Sequence, residues 1–194
     1  MNDQDITHIP VALDAIRAET EALGFTMASE PQTGSLLRTL AASKPSGRFL
    51  ELGTGTGVGT AWLLAGMDAG SRLDSVDNDA AVSAVARRHL GHDSRVTFHL
   101  SDGAQFLSRI AQERFDFIYA DTWPGKFTHL DLALSLLRPG GMYFVDDLLP
   151  QPAWPKDHAP KVPRLIAQLD GLDGFVAARL AWASGLMILV RTGL

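Results

Sequence analysis

The chain has 194 residues and no cysteine, 46% of its residues are hydrophobic against 20% charged, and its formal net charge is −5. This length suits one domain with a single core, and the missing cysteines exclude disulfides and thiolate metal sites. Because the sequence shows no basic patch, no secretory signal and no apolar window of membrane length, we expect a cytoplasmic protein that acts on a small molecule, not on nucleic acid or a membrane.

The N-terminal part of the chain predicts two helices. Apolar residues at helical spacing favour an amphipathic helix over residues 9–23 and a second helix over Gln32–Ala42, which is followed by the breaker sequence KPSG. We expect residues 1–45 to form a helical cap on a core of residues 46–194, all within one domain. The apolar stripe of the first helix would cover either this core or a second copy of the chain in a homodimer.

After residue 46, apolar segments alternate with helical ones. This alternation predicts βαβ units and therefore an α/β fold with a parallel sheet covered on both faces. The predicted strands are Arg48–Leu52, Arg72–Val76, Val96–Leu100, Phe115–Ala120 and Met142–Val145, the last one after a Pro139-Gly140-Gly141 turn. The predicted helices between them cover residues 58–67, 79–90, 103–112 and 128–137.

The end of the chain departs from this alternation. Phe175–Leu180 and Leu186–Val190 are joined by a link too short for a helical crossover, so we expect them to pair as an antiparallel hairpin. Five prolines between residues 150 and 163 predict an ordered loop over the site, followed by a helix over residues 161–170.

The most informative motif is ELGTGTGVGT, from Glu51 to Thr60, in which alternate glycines follow a buried strand and precede an apolar helix. Such a loop lets a ligand approach the backbone and ends at the free N–H groups of a helix. The spacing lacks the third glycine of a dinucleotide fingerprint, and no Lys-Ser or Lys-Thr follows as in a P-loop. The motif resembles the E/D-x-G-x-G-x-G sequence of the class I S-adenosylmethionine-dependent methyltransferases.

That resemblance implies a Rossmann-like, doubly wound sheet of seven strands in the order 3-2-1-4-5-7-6. It implies S-adenosylmethionine as cofactor, with Asp77 on the ribose diol, Asp102 on the adenine amine and Glu51 orienting the amino group or the loop amides. The other cofactor contacts that it implies are Gly53, Thr54, Gly55, Gly57, Asn78, Gly103 and Asp121. The alternatives are a turn or cap role for Asp77, a helix cap for Asp102 and a Glu51 that serves only backbone N–H groups, whereas Asp79 is the better capping candidate.

An upstream segment adds to the resemblance. Met27 to Gly34 resembles the segment that closes over the cofactor in the catechol and caffeoyl-CoA type O-methyltransferases. This implies cofactor contacts from Met27, Thr33 and Gly34, and a plain helix N-terminus is the alternative.

Two neighbouring strands of the expected sheet end in acids, with Asp121 after strand 4 and Asp146-Asp147 after strand 5. Because adjacent strand ends lie ~5 Å apart, these carboxylates could share a divalent cation such as Mg²⁺. This pattern resembles that of the same O-methyltransferases, which have Asp on strand 4 and Asp-Asn after strand 5. The resemblance implies that the ion would bind the acceptor and lower the pKa of its hydroxyl group. Asp147 stands where the family has asparagine. The alternative is that Asp121 touches the cofactor, Asp146 orients the substrate and Asp147 caps the next segment.

Lys126 is the second candidate catalytic group beside Asp121. In much of the family a lysine follows the strand 4 aspartate by three positions, whereas Lys126 follows Asp121 by five. It would act as a base or an orienting cation, unless it is a solvated lysine at the start of a helix.

The aromatic and imidazole side chains near these acids are less specific. Trp123 and Trp154 would stack on a planar acceptor or only contribute packing. His129 is expected within a helix and His158 in the proline loop, both as ordinary surface histidines.

Taken together, these features predict an S-adenosylmethionine-dependent O-methyltransferase for a small hydroxylated, catechol-like acceptor, with divalent-metal assistance. Two alternatives keep the fold. One is a metal-independent transfer to nitrogen or carbon, or of an aminopropyl group. The other is a protein that binds the cofactor without catalysis.

Overall fold

The computed structural model of the protein describes residues 2–152 and 154–193. The strands are β1 (Arg48–Leu52), β2 (Arg72–Asp77), β3 (Val96–Leu100), β4 (Phe115–Ala120), β5 (Leu137–Val145), β6 (Phe175–Leu180) and β7 (Leu186–Arg191). The helices are α1 (Leu13–Ala22), α2 (Pro31–Ala42), α3 (Val58–Gly66), α4 (Ala80–Leu90), α5 (Gly103–Arg109), α6 (Leu130–Ser135) and α7 (Val162–Asp170), with a 3₁₀ turn at Ala159–Lys161.

The seven strands form one sheet in the order β3-β2-β1-β4-β5-β7-β6, which confirms the predicted topology. The five strands from β3 to β5 run parallel, and β7 pairs antiparallel with both β5 and β6. The strand order reverses beside β1, so the carboxyl ends of β1, β2 and β4 meet at the point where open α/β sheets bind ligands.

Strand β5 begins earlier than predicted. It runs from Leu137 and includes Pro139-Gly140-Gly141, which the sequence indicates as a turn before the strand. The reason is a register shift, since Phe115 of β4 pairs with Leu137 whereas Phe117 pairs with Met142. The proline and glycines therefore form an irregularity within the strand, where Gly140 has a φ of +77°.

The N-terminal helices pack on α3 and α4, on one face of the sheet. Helix α1 begins at Leu13, later than predicted, and its buried Leu13 and Ile16 join a core cluster with Leu37 and Trp62. The apolar stripe therefore has an intramolecular partner, and the homodimer stays a prediction. No helix in the described ranges is long and apolar enough to span a bilayer.

Candidate functional site

The loop between β1 and α3 carries the glycine motif and lies against the end of β4. Gly53 has a φ of +105°, and a Cβ there would lie 2.9 Å from the carbonyl oxygen of Asp121. Gly55 also has a positive φ of +53°, but a Cβ there would meet only the Phe25 ring, at 3.4 Å. Gly53 is thus needed for packing, whereas Gly55 leaves an open approach to the backbone.

Most N–H groups of this loop have partners within the protein. Those of Gly53 and Thr54 donate to the Val76 carbonyl at 2.9 and 3.1 Å, and that of Gly57 donates to the Thr54 carbonyl at 2.9 Å. Gly57 packs on helix α4, where a Cβ would lie 2.7 Å from that of Ala86. A ligand at this loop would therefore rest on its surface and not bind these three N–H groups.

Asp77 ends β2 beside the open glycine. Its carboxylate accepts hydrogen bonds from the N–H groups of Gly55, at 2.7 Å, and of Asp79, at 2.8 Å. It is half-buried, and each of its oxygens keeps a lone pair for a further donor. Asn78 next to it is exposed. Asp79 caps α4 by accepting from two N–H groups of the first turn, which confirms the capping prediction. The ribose contact stays a prediction.

Asp102 lies two positions after β3 and is exposed. Its carboxylate accepts a hydrogen bond from the N–H group of Gln105 at 2.9 Å, so it caps α5 as the alternative reading indicates. Gly103, the first residue of α5, packs near Pro124, where a Cβ would lie 3.0 Å from the ring. The cap leaves lone pairs on the carboxylate, and the adenine contacts of both residues stay predictions.

Glu51 is fully buried beneath the glycine loop. The hydroxyls of Thr60 and Ser75 donate to its Oε2, the latter at 2.6 Å, so its partners are side chains instead of the expected amides. Its Oε1 has no hydrogen-bond partner among the described residues. Burial raises the pKa of this carboxyl to about 8, although the hydrogen bonds from the two hydroxyls act to lower it.

The ends of β4 and β5 meet through a tyrosine. The Tyr119 hydroxyl lies 3.1 Å from Oδ2 of Asp121 and 2.9 Å from Oδ2 of Asp146. Oδ1 of Asp146 accepts from the Asp147 N–H group, at 2.7 Å, and from the Ser184 hydroxyl on the β6–β7 link. The two strand-end acids are thus close, as the sequence predicts, and a protein hydroxyl bridges them.

The charges in this group are only partly compensated. Burial raises the pKa of Asp121, with the charge of Asp146 adding to the effect and that of Lys126 opposing it. Burial likewise raises the pKa of Asp146. Lys126 is 3% exposed and lies in the turn before α6, so the interpretation as a solvated lysine at a helix start is wrong.

Asp147 follows Asp146 and contacts the proline loop. It has a φ of +67°, and its carboxylate accepts a hydrogen bond from Trp154 Nε1 at 2.5 Å and lies 3.5 Å from His158 Nε2. The Trp154 and His158 rings are stacked, with centroids 4.2 Å apart. Asp147 therefore fixes the proline loop.

His158 and His129 each differ from their prediction in one respect. His158 is 4% exposed, so its assignment to the surface is wrong; burial lowers its pKa, and the charge of Lys126 acts in the same direction. His129 is exposed as expected, but it lies just before α6 with a φ of +56° and not within a helix. The reason is that α6 begins only at Leu130.

The aromatic side chains are mainly engaged with the protein. One face of Trp154 covers His158, and the ammonium of Lys161 lies 4.2 Å from the centre of the Trp123 ring. Each indole thus has at least one partner already, which agrees with the packing interpretation more than with stacking on an acceptor.

The three predicted metal ligands do not form a metal site in this arrangement. Both oxygens of Asp146 accept hydrogen bonds from protein groups, and the carboxylate of Asp147 is bound to Trp154. Among the described residues, no group of three or more His, Asp or Glu side chains is placed to hold a metal ion. The donor set as folded does not fit a cation, and we derive no step through one.

The upstream segment reaches the site, but through residues that the sequence did not single out. Ser29 Oγ lies 3.0 Å from the Tyr119 hydroxyl. Burial raises the pKa of Glu30, and the charges of Asp146 and Asp147 raise it further. This segment therefore lies over the ends of β4 and β5.

The three predicted contacts of that segment have different positions. Met27 is 60% exposed, and Thr33 is fully buried with its Oγ1 lacking a partner among the described residues. Gly34 packs on Trp62, because a Cβ there would lie 2.2 Å from the indole ring. Gly34 thus serves helix packing, and the cofactor contacts of the other two residues stay predictions.

Tyr119, Ser29 and Ser184 are the site residues that sequence reasoning missed. One signal was available for Tyr119, which lies two positions before Asp121 and hence on the same face of β4. Ser29 and Ser184 are in irregular segments, so no periodicity identifies them.

Comparison with known proteins gives a family match. A family model described as a methyltransferase domain matches residues 50–148, just over half of the chain. The chain spans about half the length of the first curated relatives it matches. It is 33% identical over 123 residues to a protein of Mycolicibacterium vanbaalenii, and this match covers 61% of this chain and 54% of that protein.

Two further matches are informative. The chain is 28% identical over 147 residues to a catechol O-methyltransferase of Niastella koreensis, which covers 70% of this chain and 66% of that protein. The solved structure of an O-methyltransferase from Bacillus cereus, in complex with SAH (S-adenosylhomocysteine), superposes with a TM-score of 0.84 at 20% identity and covers 98% of this chain and 94% of that chain. The structural match shows a shared fold.

Proposed function

Because the chain belongs to the methyltransferase-domain family, we propose that it transfers a methyl group from S-adenosylmethionine to an oxygen of a small hydroxylated acceptor. The observation that carries the proposal is the open glycine loop at the strand-order reversal, with the carboxylate of Asp77 beside Gly55. The catechol O-methyltransferase relative supports oxygen as the acceptor atom, and the SAH complex of the similar structure supports the cofactor.

The residues around the loop fit this cofactor. Gly55 leaves space where a side chain would block a ligand, and the half-buried Asp77 keeps lone pairs for the two hydroxyls of a ribose. When bound, the cofactor would supply a methyl group on a positively charged sulfur.

The protein would orient the acceptor oxygen toward that methyl group and hold its proton. Asp121 follows β4; its backbone carbonyl lies against Gly53 of the glycine loop, and its carboxylate is hydrogen-bonded to the hydroxyl of Tyr119. Lys126 is buried, and its charge opposes the burial that raises the pKa values of Asp121 and Asp146. We propose that Asp121 accepts the proton of the acceptor's hydroxyl group and that Lys126 orients the acceptor oxygen.

Three finer points stay predictions. The arrangement of the carboxylates does not support metal assistance. Methyl-transfer rates measured with EDTA and with added Mg²⁺ test whether a metal ion is needed. The catechol-like acceptor is tested with a panel of phenols. The homodimer is tested by sedimentation; the exposed Ile9, Val11 and Leu23 flank α1 and are the apolar residues that it would cover.

The alternatives share the fold and make different predictions. A nitrogen- or carbon-directed methyltransferase forms SAH with amines or carbon acids but not with phenols. An aminopropyltransferase releases methylthioadenosine in place of SAH. A non-catalytic binder takes up the cofactor and shows no turnover with any acceptor.

Calorimetric titration tests the cofactor first. We expect S-adenosylmethionine and SAH to bind the purified protein, and SAH to form with at least one phenol. Absence of binding contradicts the methyltransferase proposal, and binding with methylation only of amines contradicts the O-methyltransferase assignment.

A further inference from the structure

The hydroxyl of Tyr119 is the point where three elements of the site meet. It lies 3.0 Å from Ser29 Oγ of the upstream segment, 3.1 Å from Asp121 Oδ2 after β4 and 2.9 Å from Asp146 Oδ2 after β5. The residue is fully buried, and its ring meets that of Phe144 edge-on with centroids 5.5 Å apart. Because the ring is packed on the core, the hydroxyl has a fixed position.

The two carboxylates at this hydroxyl differ in their remaining partners. Asp146 is held at both oxygens, by Tyr119 on one and by Ser184 and the Asp147 N–H group on the other. Asp121 is held only at Oδ2, and no donor among the described residues contacts its Oδ1. Asp146 is therefore an anchor, whereas Asp121 has an oxygen left for a ligand.

We propose that Tyr119 is a positioning residue for the methyl acceptor, whose hydroxyl ties Asp121 to the anchored Asp146 so that the second oxygen of Asp121 receives the acceptor's O–H group. The inference rests on the proposed function and adds the means by which the acceptor is oriented. A protein hydroxyl then takes the bridging place that the sequence assigns to a divalent cation.

A hydroxyl suits this position because it can both donate and accept hydrogen bonds. A phenol has one proton to donate and two lone pairs to accept with, so it can donate to one carboxylate and accept from the Ser29 hydroxyl and from the protonated form of the other carboxyl group. Hydrogen bonds to ionised groups are stronger than neutral ones, which fixes the carboxylate geometry. In an in-line transfer, a displacement of ~1 Å costs about 100-fold in rate, so this geometry matters.

The chain offers a matched control. Tyr143 on the adjacent strand β5 is also fully buried, and its hydroxyl donates to the carbonyl of Gly125 at 2.5 Å without contacting a carboxylate. Y119F and Y143F each delete one buried hydroxyl and keep the ring. A role in packing or stability alone would affect both variants in the same way.

The kinetic test uses Y119F, Y143F, D121N and the double variant Y119F/D121N. We expect Y119F to lower kcat for a phenol acceptor by ~10-fold or more, with the Kd for SAH within about 2-fold of wild type and a melting temperature close to that of Y143F. Because Tyr119 acts through Asp121, the double variant is expected to be no slower than D121N alone. A crystal structure of Y119F with SAH is expected to show the Asp121 carboxylate turned away from Asp146.

Several results would overturn the inference. Wild-type kinetics of Y119F, additive losses in the double variant or an unmoved Asp121 carboxylate each show that the hydroxyl does not position the acid. A gain of more than ~10-fold when Mg²⁺ is added to EDTA-treated wild type shows that a cation bridges the acids. Absence of SAH binding by the wild type overturns the proposed function and the inference with it, whereas SAH binding and turnover with unchanged Y119F kinetics overturn the inference alone.

Discussion

At the scale of single residues, the site depends on carboxyl groups that the fold removes from water. Glu51 is held by two hydroxyls and has one oxygen without a partner among the described residues, while Asp121 and Asp146 share the hydroxyl of Tyr119. Burial raises the pKa of each carboxyl, because water no longer solvates its charged form. Such groups make the stability and the chemistry of the protein depend on pH.

Glu51 gives the clearest pH prediction. Its pKa is about 8 in the folded chain against an ordinary value of 4.5, so between these values the folded state holds a proton that the unfolded state has lost. The free energy of unfolding therefore falls as the pH rises from about 4.5 to about 8, by on the order of 5 kcal/mol for this group. In E51Q this dependence is lost. Urea unfolding at a series of pH values measures the free energy of unfolding of both proteins. If its pH dependence is the same for E51Q and wild type, the prediction is contradicted.

Asp77 gives the prediction for cofactor affinity. If its carboxylate accepts hydrogen bonds from the ribose, D77N weakens S-adenosylmethionine binding by roughly 10- to 100-fold, since hydrogen bonds to charged groups contribute about 1.5–3 kcal/mol. The control is D79N, because Asn caps a helix about as well as Asp and Asp79 lies in the same turn. Equal affinities of the two variants, measured by calorimetry, would contradict the ribose assignment.

At the scale of elements, the close approach of α2 to α3 sets the position of the upstream segment. Gly34 has its backbone against the indole of Trp62, and the two helices make the N-terminal layer over β1 and β4. Ser29 lies just before α2, so this packing determines where its hydroxyl meets Tyr119.

The corresponding prediction concerns G34A. A Cβ at Gly34 would lie 2.2 Å from the Trp62 ring, and overpacking of this kind costs about 1–3 kcal/mol. The control is G171A after α7, where a Cβ would meet only two carbonyl oxygens, at 3.4 and 3.8 Å, and φ is −88°. Thermal unfolding of both variants measures the difference, and equal midpoints would contradict the packing assignment.

At the scale of the whole molecule, the proposed cofactor would connect residues from several strands. Glu51, Asp77 and Asp102 end or follow β1, β2 and β3, and Asp121 follows β4. A ligand that contacts these groups binds the folded chain only, because the unfolded chain does not bring them together.

We therefore expect SAH to raise the thermal unfolding midpoint. At 100 times its Kd, a ligand adds ~2.7 kcal/mol, which for a chain of this size corresponds to a shift of about 5–10 °C. Differential scanning fluorimetry measures the shift, adenosine monophosphate serves as a control that lacks the amino acid part, and D77N should reduce the shift. An unchanged midpoint at saturating SAH would contradict binding.

The sequence predicted the strands of the sheet well because each strand has a signal in the residues next to it. The buried run before Glu51 and the short link between the last two apolar segments are sufficient for the strands and the terminal hairpin. The boundaries of β5 were missed because Pro139-Gly140-Gly141 looks like a turn, and only its pairing with β4 shows that the strand continues through it.

The sequence also predicted that Asp121 and Asp146 lie together, since both residues follow neighbouring strands of a parallel sheet. It could not predict what lies between them. Tyr119 reads as one apolar residue of a strand, and its hydroxyl acquires partners only when Ser29 and the end of β5 fold against it.

By itself, the sequence determined the strand segments and the terminal hairpin through spacing along the chain, and the glycine motif, through its resemblance to a family, indicated the sheet order. The tertiary structure alone decided the state of the charged groups: the burial of Lys126 and His158, the turn of Asp147 toward Trp154 and the hydroxyl bridge between the two acids. The physical reason is that burial and hydrogen bonding depend on residues far apart in the chain, for which no periodicity in the sequence gives a signal.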